Sequence, residues 1–178
     1  MFSTSTIDLP PTAIAALETY VATADRVASR AKWRKGQGAA YLEECGAAAR
    51  RLLERGTCEH VQVVHDRPPA TLFHEHGLIV LIEVDARRTQ MLDFSGGTDD
   101  ERWELYEAGG LARREWQWLR LEGIGSHSFT TSGDAIELLD LGELYGNELE
   151  RYLTEGDSGW PGDDATLPVL ADHGPRVP

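Results

Sequence analysis

Four side chains in this sequence have the types and the order that covalent chemistry needs: Cys45, then His74 and His76, then Asp93. Together they supply a thiol, an imidazole and a carboxylate. The imidazole takes the thiol proton, the carboxylate fixes the imidazole's tautomer and orientation, and the thiolate attacks an acyl carbon. The two histidines open the run FHEHGLIVLIEV (73–84), which reads as a buried strand. Alternate strand residues share a side, so both would face the same way. Either could be the base. His76 is better placed to meet the following strand, and His74 would then line the entrance.

These groups depend on the elements that carry them. Pro10 and Pro11 sit where a helix begins, and Ile14, Leu17, Val21, Ala24 and Ala28 follow at helical spacing, which predicts a first helix to about Ala31. WRKGQG (33–38) interrupts the pattern, and a second helix then runs to a capping glycine at Gly56. Its stripe is Tyr41, Leu42, Cys45, Ala48, Ala49, Leu52 and Leu53, which places Cys45 on the inward face. Arg50, Arg51 and Arg55 suit the negative end of the helix dipole.

β-Branched runs follow at 61–66, 78–84 and 89–94, and the short connection between the last two predicts an antiparallel hairpin. The start of one hairpin strand faces the end of its partner, as His76 and Asp93 would. WQWLRLEGI reads as a further strand, with one of Trp116 and Trp118 in the core and the other on the surface. Residues 134–153 read as a helix capped by Asp134. The expected fold is α+β, with N-terminal helices followed by an antiparallel sheet, in a single domain over 1–154. From Glu155 onward glycine, proline and aspartate dominate, and 155–178 is expected to be a poorly ordered acidic tail.

The runs CGAAARRLLERG (45–56), VQVVHD (61–66) and HEHGLIVLIEVDARRTQMLDF (74–94) resemble the core of the papain-like and transglutaminase-like cysteine enzymes. The histidine and aspartate strands are also similar to those of arylamine acetyltransferases. The resemblance covers about residues 40–97 and is one of order and spacing. It implies a papain-like or transglutaminase-like core with the cysteine at or near a helix N-terminus, Cys45 as nucleophile, His76 as base and Asp93 as its orienter. Gln37, upstream of the cysteine, would supply an oxyanion-hole amide. The sequence departs from the pattern at Glu43 and Glu44, whose carboxylates oppose thiolate formation, and at Gly77 and Leu78, where an aromatic often follows the histidine. The small residue expected before the cysteine is missing as well.

Composition limits the partners. The chain has 178 residues, 41% of them hydrophobic, enough to bury a core. A net charge of −13 lacks the basic footprint that phosphate backbones require, so nucleic acid is not expected. No stretch reads as a secretory signal or is apolar enough to span a bilayer, which predicts a cytoplasmic protein without membrane partners. Cys45 and Cys58 are expected to remain thiols, and no cofactor is expected. A metal reading uses Cys58 and His60 with His74 and His76, near His65 and Asp66, but this spacing matches no closed zinc pattern and metal is not predicted. The resulting expectation is an acyl transferase or an amide or thioester hydrolase working through a Cys45 thioester. Its substrate would be a peptide, a protein side-chain amide or a small acyl compound. The rival from another class is a noncatalytic acidic interaction protein, of immunity or regulatory type, that binds a basic protein partner.

Overall fold

The computed structural model describes residues 1–29, 37–66, 68–74, 77–85, 88–94, 101–144 and 166–168. In chain order the elements are β1 (Phe2–Asp8), α1 (Pro11–Ser29), α2 (Gln37–Arg55), β2 (Thr57–Val64), β3 (Ala70–His74) and β4 (Gly77–Asp85). They continue with β5 (Arg88–Asp93), α3 (Glu101–Glu107), β6 (Arg113–Leu121), β7 (Gly125–Ala135), β8 (Leu139–Leu144) and β9 (Thr166–Pro168). The α+β class is as expected, but a strand precedes the helices. The FSTSTID stretch alternates too little in polarity to reveal itself; its pairing with β2 makes it a strand.

One sheet has the order β1-β2-β6-β7. Met1 and Val64 exchange backbone hydrogen bonds, and Leu9 N–H donates to the Gly56 carbonyl at 2.9 Å, which sets β1 antiparallel to β2 with Thr6 opposite Glu59. His65 N–H donates to the Arg114 carbonyl at 2.8 Å, so β2 and β6 are antiparallel with Glu59 opposite Arg120. A tight turn closed by Ile124 N–H to the Leu121 carbonyl, 2.9 Å, joins β6 to β7.

The second sheet has the order β8-β3-β4-β5-β9. The predicted β4–β5 hairpin is there and is antiparallel, with Ile79 opposite Asp93. The sheet is mixed, however, because β8 lies parallel to β3. Residues 139–144 therefore correct the predicted helix at 134–153: β7 runs through Ala135 and β8 follows, while 145–153 lie outside the described residues. Gly142 at φ 87° breaks any helix there and sits at a bulge in β8, where the register steps from Thr71 opposite Asp140 to Phe73 opposite Glu143. Of the predicted tail, Thr166–Pro168 form β9, paired antiparallel with Arg88–Gln90; the remainder lies outside the described residues.

The chain forms two compact units. One comprises Thr4–Val61 and Trp118–Ser128. Here α1 begins at Pro11 with its first bond from Ile14 N–H to the Pro10 carbonyl, and buries Ala13, Leu17 and Ala24 along one stripe. Helix α2 buries Cys45, Ala48, Ala49 and Leu52, but Tyr41, expected in the stripe, is 59% exposed. Gly56 ends α2 at φ 72°, a left-handed position that favours glycine. Leu9, Leu17, Leu52, Cys58, Leu119 and Leu121 share this unit's core, where each fully buried leucine contributes ~1.5–3 kcal/mol. The other unit comprises Met1–Ser3, Gln62–Gln117 and Phe129–Pro178. Its cores include Ala70, Leu72, Ile79, Leu81 and Met91 on the β3–β4–β5 strands. Trp116 and Trp118 are each 1% exposed, which corrects the expectation of one core and one surface aromatic; as alternate residues of β6 they share a face.

Candidate functional site

Cys45 is the ninth residue of α2, which begins at Gln37, and is 1% exposed. The resemblance implied a cysteine at or near a helix N-terminus, where unpaired N–H groups favour a thiolate. A mid-helix position has its backbone N–H groups already used, so the helix end lends it nothing. Glu43 and Glu44 beside it are exposed. Cys45 and Gln37 belong to the helical unit, whereas His74 and Asp93 belong to the other.

His74 is the last residue of β3, paired with Gly77 at the start of β4. The β3–β4 hairpin turns between His74 and Gly77, and His76 lies outside the described residues. Asp93 ends β5 opposite Ile79. His74 and Asp93 are on strands separated by β4, a backbone spacing of ~10 Å. The short connections responsible were legible in part: the β4–β5 turn was read, and the turn inside FHEHG was not.

Both cysteines are free and buried. Burial pushes the Cys58 thiol above its usual range, with Arg55 opposing. Among the described residues no group of three or more histidine, cysteine or acidic side chains could hold a metal ion. Cys58 and His60 are alternate residues of β2 in the helical unit, and His74 belongs to the other unit.

Among the described residues, the histidine whose environment departs most from water is one that sequence reading gave a minor place. His65 is 7% exposed and meets Trp116 edge-on, ring centres 4.4 Å apart. Its Nε2 has no hydrogen-bond partner among the described residues. Trp116 in turn meets Phe129 at 5.5 Å, and Phe129 meets Phe94 at 5.7 Å. In this aromatic nest burial lowers the His65 pKa to about 4; the N-terminal ammonium adds to the shift and Asp66 opposes it. The only sequence signal was its place in the β-branched run VQVVHD.

The native state therefore holds His65 neutral, while the unfolded chain takes up a proton near its ordinary pKa of ~6.5. This contribution to stability is fully present above that pKa and is lost as pH falls toward about 4. Between pH 7 and pH 5 the expected loss is about 2 kcal/mol. Urea unfolding at both pH values checks it: His65→Leu should remove that part of the pH dependence, and an unchanged slope would refute the assignment.

Among the described residues no helix is long and apolar enough to cross a membrane. Comparison of the chain with protein-family models, with curated proteins and with solved structures found no match.

Proposed function

We propose that this chain is a noncatalytic acidic interaction protein, of immunity or regulatory type, that binds a basic protein partner. The observation that carries the reading is the excess of exposed carboxylates without cations. Glu18, Glu43, Glu44 and Glu54 in the helical unit, and Glu104, Glu107, Asp134 and Glu137 in the other, are exposed and in no salt bridge with a described side chain. Of the exposed described arginines, Arg50 pairs with Asp25, Arg55 with Glu122 and Arg114 with Asp66, while Arg26, Arg51 and Arg113 are in no salt bridge with a described side chain. Among the described residues the exposed carboxylates outside salt bridges therefore outnumber the exposed cations outside them, and the surface is predominantly negative. Such a surface steers an oppositely charged partner and sets its orientation. The free, buried thiols fit a reducing compartment, and a cytoplasmic location goes with this reading.

Binding to lysine-rich peptides and small basic proteins, measured across a salt series, tests it. Affinity should fall steeply as ionic strength passes ~0.1 M, where the Debye length shrinks to about 10 Å. Reversing Glu43 and Glu44 to lysine, and separately Glu104 and Glu107, should abolish binding through one pair and spare it through the other. Equal losses would reduce the effect to net charge and count against a defined binding surface.

The acyl-transfer reading, with Cys45, His76 and Asp93 on a papain-like or transglutaminase-like core, draws support from one observation. The β4–β5 hairpin is antiparallel, and Asp93 ends its second strand near the start of the first. Iodoacetamide labelling of Cys58→Ser separates the two readings. The interaction reading expects Cys45 to react no faster than the protein opens; alkylation faster than a free thiol near neutral pH would overturn it in favour of the enzyme.

A further inference from the structure

The helical unit contains a cavity of about 390 Å³ that neither reading above uses. Its position follows from strand register. Thr6 on β1, Glu59 on β2 and Arg120 on β6 are cross-strand neighbours in one row and share one face. Thr57 and Glu122 make the adjacent row, and the Arg55 side chain, from the last residue of α2, reaches the same opening. Cys58 joins the wall from the core side, where it packs with Leu119 and Leu121.

The charges in this cavity come as two pairs. Arg120 Nη1 donates to Glu59 Oε2 at 3.0 Å, and Arg55 Nη1 donates to Glu122 Oε2 at 2.9 Å. Arg55 also donates from Nε to the Thr57 carbonyl at 3.3 Å. Two guanidinium groups against two carboxylates make the lining neutral on a chain of net charge −13. The threonine hydroxyls add neutral donors and acceptors, and the Cys58 thiol, pushed up by burial, adds no charge.

We infer that this cavity binds a small zwitterion of the amino-acid class, its carboxylate on the arginines and its ammonium on the glutamates. The volume falls in the range of small-molecule sites, ~300–1,000 Å³. Charge balance selects the class. A simple anion would meet a carboxylate about 3 Å from each cation, and Asp8, two residues beyond Thr6 on the same face of β1, adds a further negative charge beside the lining. A simple cation would meet the two arginines. A ligand bearing both signs opens one internal pair, gives its carboxylate to the released arginine and its ammonium to the released glutamate, and leaves no charge unpartnered. Arg55 is 47% exposed and Glu122 77%, so this pair can open without disturbing the core.

This inference goes beyond the interaction reading and does not depend on it. The test is amide chemical-shift titration of the full chain with glycine, L-alanine and L-glutamate, with inorganic phosphate and putrescine as probes of one charge sign. The expected result is that an amino acid at millimolar concentration moves the Thr6, Thr57 and Glu59 amides and saturates, while phosphate and putrescine do not. The paired substitution Glu59→Gln with Arg120→Gln keeps the lining neutral and should weaken binding about tenfold. Arg55→Gln, at an exposed position, should do likewise and serves if the double variant is unstable. The inference is overturned if no amino acid moves these amides, if phosphate or putrescine moves them equally, or if both folded variants bind like the parent.

Discussion

Replacing Trp116 by alanine is expected to cost about 3–5 kcal/mol, the range for removing a fully buried large aromatic. The residue is 1% exposed, its indole N–H donates to the Arg113 carbonyl at 2.7 Å, and its ring is held edge-on by both His65 and Phe129. Removing the ring leaves a void beside an imidazole that already lacks a partner at Nε2. Water entering that void would hydrate His65 and raise its pKa toward the ordinary value, so Trp116→Ala should also flatten the acid dependence that His65 imposes. Trp116→Phe separates packing from hydrogen bonding: it keeps most of the buried ring, loses the N–H, and should cost only about 1–2 kcal/mol. Denaturant midpoints for the two variants check the ordering. If alanine and phenylalanine cost the same, the hydrogen bond dominates and the cavity account is wrong.

The second large effect concerns the α1–α2 hairpin. A Cβ built at Gly46 would lie 2.3 Å from the Ala24 Cβ, and Ala24 is itself 3% exposed. The helices approach too closely there for any side chain. Gly46→Ala gains ~1 kcal/mol of helix propensity yet should still destabilise, because two methyl groups cannot share that space without moving a helix. Gly46→Val is expected to cost about 3 kcal/mol, the upper end of ordinary overpacking. Ala24→Gly in the same chain should recover part of the loss. A double-mutant cycle measures the coupling directly, and strictly additive effects would show that the two positions do not touch.

The same helix pair shows what sequence periodicity can and cannot give. Ala13, Leu17 and Ala24, with Cys45, Ala48, Ala49 and Leu52, repeat at helical spacing, so both helices and their buried faces were legible. Tyr41 fell at an apolar position of that repeat and is exposed, since the stripe reports direction around a helix and not how far the covering partner extends. The hairpin from β4 to β5 was legible because VDARRTQ joins two apolar runs by a short polar turn. ATLFH was missed as a strand because its alternation ends after five residues at a turn containing no glycine or proline signal before Gly77. That turn puts His74 at the end of one strand and Gly77 at the start of another, where sequence alone read one continuous run. LDLGEL (139–144) has leucines compatible with both periods, and only the parallel pairing with β3 settles it as a strand. Arg120 lies between the buried Leu119 and Leu121, and nothing local in the sequence marks its pairing with Glu59, far away in the chain and opposite in register.

The five-stranded sheet owes both of its outer strands to the later part of the chain. Strands β3, β4 and β5 span residues 70–93, while β8 and β9 come from 139–144 and 166–168. During synthesis the central three strands therefore leave the ribosome with two open hydrogen-bonding rims: that of β3 stays open until residues 139–144 have emerged, and that of β5 until Pro168 has. Over that interval the outer edges of β3 and β5 are the ones exposed to pairing with a neighbouring nascent chain, while LIVLIEV in β4 is protected between them. Proline at the end of β9 carries no N–H, so the last strand to arrive is a poor template for another.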